Sequence, residues 1–469
     1  MVISDTASSL VRWLNVVDTW LWSHFLVILL VGVGLFFTIR LRGMQFRYLG
    51  YSLKLAFTRK DDDAQGDISQ FQSLMTALAA TIGIGSIAGV ATAIMAGGFG
   101  AIFWMWVIAL IGMVTKFAEA ILAVKYRMVD NRGAMCGGPM YYIAQGLGWK
   151  WLGITFAIFG ALSAFAGGNL IQANSIAAAV ENLTHLSSAW TGLILTVVTA
   201  VVVLGGIKSI GKLSSYLVPV MALMYVIAGL VIVFLNAAQV PAGILMIFKS
   251  AFTGQAAFGG FLGATVMAAV QLGVARGVSS NEAGLGSAPI AAAAAKTDVP
   301  GRQALISMSG VFLSSMVVCT ITALVVIVTN VMGAVGADGK ALNGVTLVME
   351  AFRLVIPGGD VIVAIGVVLF GYTTIVGWAY YGEKCMEFLA GEKVLIAYRT
   401  LFCSIVFIGA VMSFDLVWPI ADIMNGLMAL PNLIGLIGLS GIVVIESNAF
   451  FDLLRYEKLK SGKKVAHNE

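Results

Sequence analysis

Three glycines within seven residues interrupt an apolar stretch at Thr81–Gly89, whose sequence is TIGIGSIAG. Each glycine costs roughly 1 kcal/mol relative to alanine in a water-exposed helix, so this stretch is a weak point in a helix. Where a membrane helix unwinds, its freed N–H groups can hold a carboxylate and its freed carbonyls a cation. The alternative is a helix-packing face, because Gly85 and Gly89 are four residues apart. The pattern indicates either a binding segment or a close helix–helix contact.

A second stretch of this kind is Gln271–Pro289, QLGVARGVSSNEAGLGSAP, which has four glycines and carries Asn281 and Glu282. The alanine-rich residues that follow, Ile290–Lys296, are typical of a helix. The stretch is either an ordinary polar loop or a helix that breaks before or around Gly273 and continues into a structured inner loop. We expect the broken helix, because the helical pattern resumes after the polar residues.

Two hydroxyl groups lie together at Thr373 and Thr374, within the apolar sequence FGYTTIVGWAYYG. A hard cation such as Na⁺ prefers oxygen ligands, so the pair can complete a cation site with carbonyls of the Thr81–Gly89 stretch. The other interpretation is that each hydroxyl bonds to a carbonyl of its own helix. The residues by themselves favour neither.

Amide side chains crowd one predicted span at Asn169, Gln172 and Asn174. Asn169 and Gln172 are three residues apart and share a helix face, whereas Asn174 lies off it. Polar side chains inside a membrane join helices or line a cavity. We expect at least one of the three to form a bond between helices.

Charged residues are also present within the apolar segments. Lys116 and Glu119 are three residues apart, so we expect a structural ion pair near the inner end of their helix. Asp422 and Asn425 precede Pro431 in an irregular last span. Because an unpaired carboxylate in lipid is costly, Asp422 should face protein, water or an ion.

Membrane helices are the elements that must position these residues. Of 469 residues, 59% are hydrophobic and only 11% are charged, compared with about 25% in a soluble domain. A span needs about 20 apolar residues, and the sequence predicts an all-α fold with about eleven spans. They are Leu21–Ile39, Gln72–Gly97, Ala101–Val124, Leu152–Ala179, Trp190–Gly206, Leu217–Leu235, Phe258–Ala275, Ala304–Asn330, Val361–Tyr381, Val394–Met412 and Val417–Ile445.

The basic residues predict the orientation, because Lys and Arg are enriched on the cytoplasmic side of a membrane protein. With the N-terminus outside, alternating spans leave few basic residues in outside segments, namely Arg12, Lys249, Lys340 and Arg353. The others fall in inside loops and the C-terminal tail, apart from Lys116 within a span. We therefore predict an outside N-terminus and a cytoplasmic C-terminus, and the net charge of +5 does not indicate nucleic-acid binding.

Motifs of other protein classes are missing from the sequence. It contains no GxxxxGK[ST] for nucleotide binding and no HExxH or GxSxG for hydrolysis. None of the three histidines lies deep in a predicted span, so histidine-based proton coupling is disfavoured. The four cysteines are far apart and show no metal spacing. The sequence predicts a secondary transporter and not an enzyme, with an ion channel as the less favoured alternative.

The two glycine-rich stretches begin equivalent runs of about five spans. Matching broken helices in two halves are typical of transporters with an inverted repeat and a binding site near the bilayer midplane. We therefore divide the chain into an N-terminal helix and cytoplasmic linker (residues 1–70), repeat one (71–237), repeat two (238–447) and a basic cytoplasmic tail (448–469).

Seven stretches together resemble the alanine or glycine:cation symporter family: TIGIGSIAGVATAI, GAIFWMWVIALIGMVTKFAEA, CGGPMYYI, GNLIQANSIA, VARGVSSNEAGLGSAPIAAAAA, TIVGWAYYGE and NGLMALPNLIGL. The resemblance runs from about Gln72 to Ile445, and ARGVSSNEAGLGSAP is its most specific part. It implies a leucine-transporter-like fold, with one extra N-terminal helix and ten core helices in two inverted repeats, of which the first and sixth core helices are broken. It also implies uptake of alanine, glycine or a similar small amino acid coupled to Na⁺ across a prokaryotic inner membrane. Coupling to H⁺ is the alternative.

The resemblance also implies roles for single residues. Backbone of the first broken helix would hold the substrate carboxylate, at Thr81, Gly83, Ile84 and Gly85. Further substrate contacts would come from Gln172, Asn174, Gln271 and Gly273. The sodium site would use the carbonyls of Ala79 and Ile82 with the hydroxyls of Thr373 and Thr374. Gate or scaffold positions would be Asn281, Glu282, Asp422 and Asn425.

Two residues depart from the family pattern. Ser86 stands where the family usually has asparagine, and its shorter side chain bears on a second ion site or on the affinity of the first. Ser279 stands where a bulky aromatic residue is common. We therefore expect a looser pocket or gate at Ser279 and a different substrate preference.

Overall fold

The computed structural model describes residues 2–58, 64–253, 265–336 and 339–465, most of which are helical. The helices up to residue 184 are α1 (Val2–Leu21), α2 (Val27–Arg40), α3 (Met44–Phe57), α4 (Gln70–Thr81), α5 (Ala88–Gly97), α6 (Gly100–Lys125), α7 (Pro139–Gly146), α8 (Lys150–Phe165) and α9 (Ile171–Thr184). One π-helical turn joins α1 to α2, and another joins α8 to α9. Between α6 and α7, β1 (Met128–Val129) pairs antiparallel with β2 (Met135–Cys136).

The helices after residue 184 are α10 (Ser188–Val203), α11 (Gly206–Leu235), α12 (Val240–Thr253), α13 (Val266–Asn281), α14 (Ala288–Ala293), α15 (Pro300–Val311), α16 (Thr320–Val328), α17 (Gly344–Arg353), α18 (Gly359–Ala390), α19 (Leu395–Val411), α20 (Phe414–Gly438) and α21 (Ser440–Val465). A π-helical segment, Phe312–Cys319, joins α15 to α16. Short 3-10 turns precede α12 and α19.

The described helices are those of a polytopic membrane protein. Seven are long and apolar enough to cross a membrane, or eight if the bent pair α2–α3 forms one span. Three shorter apolar helices accompany them, Ala88–Gly97, Ser188–Val203 and Ala237–Thr253. The first part of the predicted span Phe258–Ala275, up to residue 264, lies outside the described residues, as do residues 59–63 of the predicted linker.

The N-terminal segment holds more helix than the sequence predicts. Helix runs from Val2 through a π-helical turn to Arg40, and α3 follows at an angle of 86° to α2. Arg42 and Gly43 form the bend, with left-handed φ values of 55° and 63°. The sequence pattern places α3 in an inside loop, because its 14 residues are too few to span a bilayer. The helix is held by packing on α15, where Ser52 Oγ donates a hydrogen bond to the Leu305 carbonyl.

Two helices are interrupted within the apolar core. α4 ends at Thr81 and α5 begins at Ala88, with one 3-10 turn between them; we call residues 82–87 the first interruption. α13 ends at Asn281 and α14 begins at Ala288; we call residues 282–287 the second interruption. The helix ends at both places carry backbone groups that their own helices cannot pair, so other parts of the protein must supply partners.

A break around Gly273 is wrong, because α13 continues as a helix through this residue. A break before it, up to residue 264, lies outside the described residues. The glycines of α13 instead allow close packing on α6. A Cβ on Gly273 would lie 2.4 Å from the Ala101 carbonyl oxygen, and one on Gly277 would lie 2.5 Å from Ile108 Cγ2. Glycine lowers helix propensity both where it allows close helix packing and where a helix breaks. Composition alone therefore does not separate these two cases.

Candidate functional site

A small cavity lies where the two interruptions meet α9, α18 and α20. Its volume is about 20 Å³, close to the space that one water molecule needs. Seven of the predicted site residues line it, namely Thr81, Gly83, Gly85, Gln172, Glu282, Thr374 and Asn425. An amino acid is larger than this space, so the walls must separate before the cavity can admit one.

Two residues of the first interruption, Gly83 and Gly85, line this cavity. Gln172 on α9 accepts a hydrogen bond from the Ile84 N–H through Oε1 (3.2 Å) and donates from Nε2 to the Gly167 carbonyl (3.0 Å). The bonds within the interruption and to Gln172 do not use the N–H groups of Gly83 and Gly85, which line the cavity. These two amides are therefore available to an anionic group.

Thr374 approaches the end of α4 from α18. Its Oγ1 lies 2.8 Å from the Ala79 carbonyl oxygen and 2.9 Å from the Phe370 carbonyl oxygen of its own helix. The Ala79 carbonyl belongs to the last turn of α4, where carbonyls have no N–H partner further along the helix and carry the negative end of its dipole. Oxygen atoms gathered at such a helix end are suited to a monovalent cation.

Thr373 lies beside Thr374 but bonds differently. Its Oγ1 is 3.1 Å from the Phe370 carbonyl oxygen and 3.6 Å from Met221 Sδ. Both threonines thus bond to their own helix, as one interpretation of the sequence held, and Thr374 also bonds to the Ala79 carbonyl of α4. The cation site of the other interpretation stays a prediction. Ile82 follows Thr81 directly, and its N–H donates to the Leu78 carbonyl.

Three predicted substrate residues lie away from the small cavity, as the described residues define it. Asn174 donates to the carbonyls of Gly409 (3.3 Å) and Met412 (2.6 Å), and it borders a separate cavity of about 480 Å³ beside α5. The expected bond between helices is therefore confirmed at Asn174. Gln271 and Gly273 lie within α13, where Gly273 packs on α6.

Ser86 connects the first interruption to α13 and α16. Its Oγ lies 2.9 Å from Ser280 Oγ, and its carbonyl accepts a hydrogen bond from Thr322 Oγ1 at 3.0 Å. The serine that replaces the usual asparagine thus joins two parts of the fold. Ser279, the other departure from the family pattern, lines the small cavity.

Sequence reasoning missed Trp378, which forms one wall of the small cavity. It lies one turn after Thr374 on α18, and its Nε1 donates to Glu282 Oε1 at 2.9 Å. Gly168 makes room for it, because a Cβ there would lie 2.3 Å from Trp378 Cβ. The four-residue spacing from Thr374 is the sequence signal that could have placed both side chains on one helix face.

Asp422 on α20 pairs with Arg276 on α13. The guanidinium Nη1 and Nη2 donate to Asp422 Oδ1 (3.1 Å) and Oδ2 (2.6 Å). The same guanidinium lies 4.7 Å from the ring centroid of Trp418, a second tryptophan of the cavity wall. The expectation that Asp422 faces a partner and not lipid is confirmed, and the pair joins α13 to α20 beside the cavity.

Lys116 and Glu119 do not form the close ion pair that we expected, because each hydrogen-bonds to the backbone around the second interruption. Lys116 Nζ donates to the Asn281 carbonyl at 3.0 Å, where α13 ends. Glu119 Oε1 accepts from three donors: the N–H groups of Gly284 and Gly286, both at 3.1 Å, and Asn432 Nδ2 at 2.7 Å. Unpaired backbone groups at a helix end attract charged side chains. The three-residue spacing on α6 therefore did not predict these hydrogen-bond partners.

Comparisons with known proteins agree with this architecture. The chain matches the model of the sodium:alanine symporter family over residues 7–465. The sodium/alanine symporter AgcS of Methanococcus maripaludis is 52% identical over 448 residues, covering 94% of this chain and 98% of that protein. The probable sodium/glutamine symporter GlnT of Bacillus subtilis is 38% identical, with coverage of 90% and 87%.

Among solved structures, MhsT in complex with L-phenylalanine superposes with a TM-score of 0.59 over 82% of this chain and 93% of that chain. The sequence identity is 13%, so this likeness shows the fold alone, which is leucine-transporter-like as the resemblance implied. The prediction of a membrane transporter is confirmed by the family match. Because that match covers nearly the whole length, the chain belongs to the sodium:alanine symporter family.

Proposed function

We propose that this protein is a secondary active symporter that takes up alanine, glycine or a similar small neutral amino acid together with Na⁺. The observation that carries the proposal is the meeting of Thr374 Oγ1 with the Ala79 carbonyl oxygen at 2.8 Å, next to a cavity lined by Gly83 and Gly85. Oxygen atoms suited to a cation and N–H groups suited to a carboxylate are thus adjacent. A sodium:amino-acid symporter needs both.

The proposed sodium site combines the carbonyls of Ala79 and Ile82 with Thr373 and Thr374. In the described arrangement Thr373 bonds to its own helix, so sodium binding requires its hydroxyl oxygen to turn toward α4. The proposed substrate site uses the N–H groups of the first interruption for the carboxylate. Gln172 supports it by fixing the position of the Ile84 N–H.

We further propose eleven membrane crossings, with the N-terminus outside and the C-terminus in the cytoplasm. Counting α1–α2, α4–α5, α8–α9, α13–α14 and α15–α16 as one crossing each gives eleven with the six single helices α6, α10, α11, α18, α19 and α20. Residues 71–237 and 238–447 would be the two inverted repeats. Interruptions in the first long crossing of each support this division.

The proposed mechanism is alternating access. Sodium would hold the end of α4 against α18, which fixes the first interruption in the shape that binds the carboxylate. Ion and substrate would therefore bind cooperatively, and each charge moved through about 100 mV contributes roughly 2.3 kcal/mol. Rocking of one helix bundle against the other would then open the inner side.

Uptake by the purified protein in liposomes tests the proposal. We expect concentrative uptake of radioactive alanine with an inward sodium gradient, and little uptake when choline replaces sodium at fixed pH. Equal uptake in choline, with stimulation by an inward proton gradient, would show H⁺ coupling and contradict the sodium assignment. Single-channel currents in place of saturable uptake would contradict the transporter mechanism.

Replacing Gly83 by alanine is expected to lower alanine affinity. The added Cβ would lie 2.5 Å from Thr374 Oγ1 and 3.3 Å from Gln172 Oε1, so both side chains must move. Overpacking of this kind costs about 1–3 kcal/mol, or roughly 10- to 100-fold in affinity. The φ of −104° at Gly83 is accessible to alanine, so the effect is one of space. Concentration-dependent alanine uptake measures it.

Gly89→Ala is the matched control for this substitution. It adds the same methyl group on α5, where the nearest neighbouring atom would be Arg276 Cδ at 3.9 Å, an ordinary contact. We expect alanine uptake by this variant to remain near that of the original protein. Equal effects of the two substitutions would show that the space at Gly83 has no special part in binding.

A further inference from the structure

The Glu282 carboxylate lies in the wall of the small cavity, and the mechanism above gives it no role. Glu282 is the first residue of the second interruption, with φ of +57°, a left-handed conformation that residues other than glycine rarely adopt. Its N–H still bonds to the Val278 carbonyl at 2.7 Å. The chain therefore turns at this residue and directs the side chain toward the cavity.

Two donors hold the Glu282 carboxylate in place. Trp378 Nε1 donates to Oε1 at 2.9 Å, and Ser287 Oγ donates to Oε2 at 2.7 Å. A carboxylate oxygen can accept more than one hydrogen bond, so both oxygens keep capacity for a further donor. Because both present partners donate, these contacts favour the ionised carboxylate.

Among the described residues around the second interruption, basic and acidic side chains are unequal in number. Lys116 interacts with both Glu282 and Glu119, and all three side chains are buried. One ammonium group therefore stands against two carboxyl groups. Glu119 is already bound to the N–H groups of the interruption, whereas Glu282 borders the cavity. A cation that enters the cavity would complete the balance at Glu282.

We propose that Glu282 binds the α-ammonium group of the transported amino acid; the inference rests on the proposed function. Gly83 and Gly85 line the same cavity, and their N–H groups would take the carboxylate. The two charges of a zwitterion would thus have separate partners, one at each interruption. The site would reject acids that carry a neutral group in place of the ammonium group, because the buried Glu282 charge would stay unpaired.

Competition in the original protein provides the first test. L-lactate has a hydroxyl where L-alanine has its ammonium group, and the two molecules are otherwise alike. We expect lactate to inhibit sodium-driven uptake of radioactive alanine at least about 100-fold more weakly than unlabelled alanine does. Inhibition at similar concentrations would overturn the proposal without any variant.

Binding to E282Q provides the second test. Purified E282Q should bind radioactive alanine about 10- to 100-fold more weakly than the original protein, because a charge-assisted bond becomes a neutral one. Its binding of radioactive sodium without alanine should be unchanged. E350Q, which alters a partly exposed residue paired with Arg353, is the control and should bind both ligands normally.

The outcomes separate this inference from the proposed function. If the original protein takes up alanine with sodium and E282Q binds alanine equally well, the role of Glu282 is wrong and the symporter assignment stands. If E282Q also loses sodium binding, Glu282 belongs to an ion site or supports the fold, and the ammonium assignment is overturned. If the original protein shows no sodium-driven uptake, the proposed function itself fails.

Discussion

Replacing Thr374 by valine is expected to weaken the sodium stimulation of amino-acid uptake severely. Valine has nearly the shape of threonine, but it places a methyl group where the hydroxyl now lies 2.8 Å from the Ala79 carbonyl oxygen. The change removes one proposed sodium ligand and leaves a buried carbonyl at the end of α4 without its partner. An unpaired buried polar group costs about 1–3 kcal/mol, and the lost ligand adds to it. We expect at least a roughly 100-fold higher sodium concentration for half-maximal uptake.

Two variants serve as controls for Thr374→Val. Thr374→Ser retains the hydroxyl and should keep most of the sodium dependence. Thr196→Val makes the same exchange of hydroxyl for methyl on α10, where Thr196 Oγ1 bonds to the Gly192 carbonyl of its own helix, and it should transport normally. Uptake by each variant is measured against sodium concentration. An unchanged sodium dependence in Thr374→Val would remove this residue from the coupling site.

Replacing Glu119 by alanine is expected to cause a large loss of stability. Glu119 Oε1 accepts hydrogen bonds from Gly284, Gly286 and Asn432. The side chains of Glu119 and Asn432 are buried. Alanine would leave the N–H groups of Gly284 and Gly286 without their acceptor, at about 1–3 kcal/mol each, whereas Asn432 would keep its bond to the Gly284 carbonyl. It would also remove a carboxyl group close to Lys116. We expect a large fall in the melting temperature of the purified protein, together with loss of transport.

Glu350→Ala is the matched control for stability. Glu350 bonds to Arg353 at 2.7 Å on the surface, and exposed ion pairs contribute only about 0–1 kcal/mol. Glu119→Gln is the second comparison, because its amide oxygen can still accept bonds from Gly284 and Gly286. We expect it to melt between the original protein and Glu119→Ala. A melting temperature for Glu119→Ala equal to that of Glu350→Ala would show that the second interruption does not depend on this carboxylate.

The sequence singled out the residues of the first interruption because its signals are local. Glycines at positions 83 and 85 lower helix propensity wherever they occur in a helix, and an apolar context shows that the helix lies in a membrane. The structure places both glycines beside the cavity, next to Gln172 and Thr374. The sequence singled out the threonine pair by its chemistry. The geometry distinguished Thr374, whose hydroxyl bonds to α4, from Thr373, whose hydroxyl bonds to its own helix.

The same reasoning was wrong about a break around Gly273 and about the partners of the charged residues on α6. Glycine at position 273 has the composition of a break, but Ala101 lies so close that only glycine fits, and the helix continues. Lys116 and Glu119 have the spacing of an ion pair, but backbone groups around the end of another helix provide their hydrogen bonds. Neighbouring residues do not show whether a side chain bonds to a partner close in the sequence or to a distant one.

By itself, the amino-acid sequence determined that this protein is a bundle of membrane helices with a weak point near Thr81, because burial in lipid and helix propensity act on consecutive residues. Only the tertiary structure decided which groups meet at the cavity. Glu282 bonds to Trp378 across 96 positions, and Glu119 bonds to Asn432 across 313. Such contacts depend on how whole helices pack, and no local pattern in the chain specifies that packing.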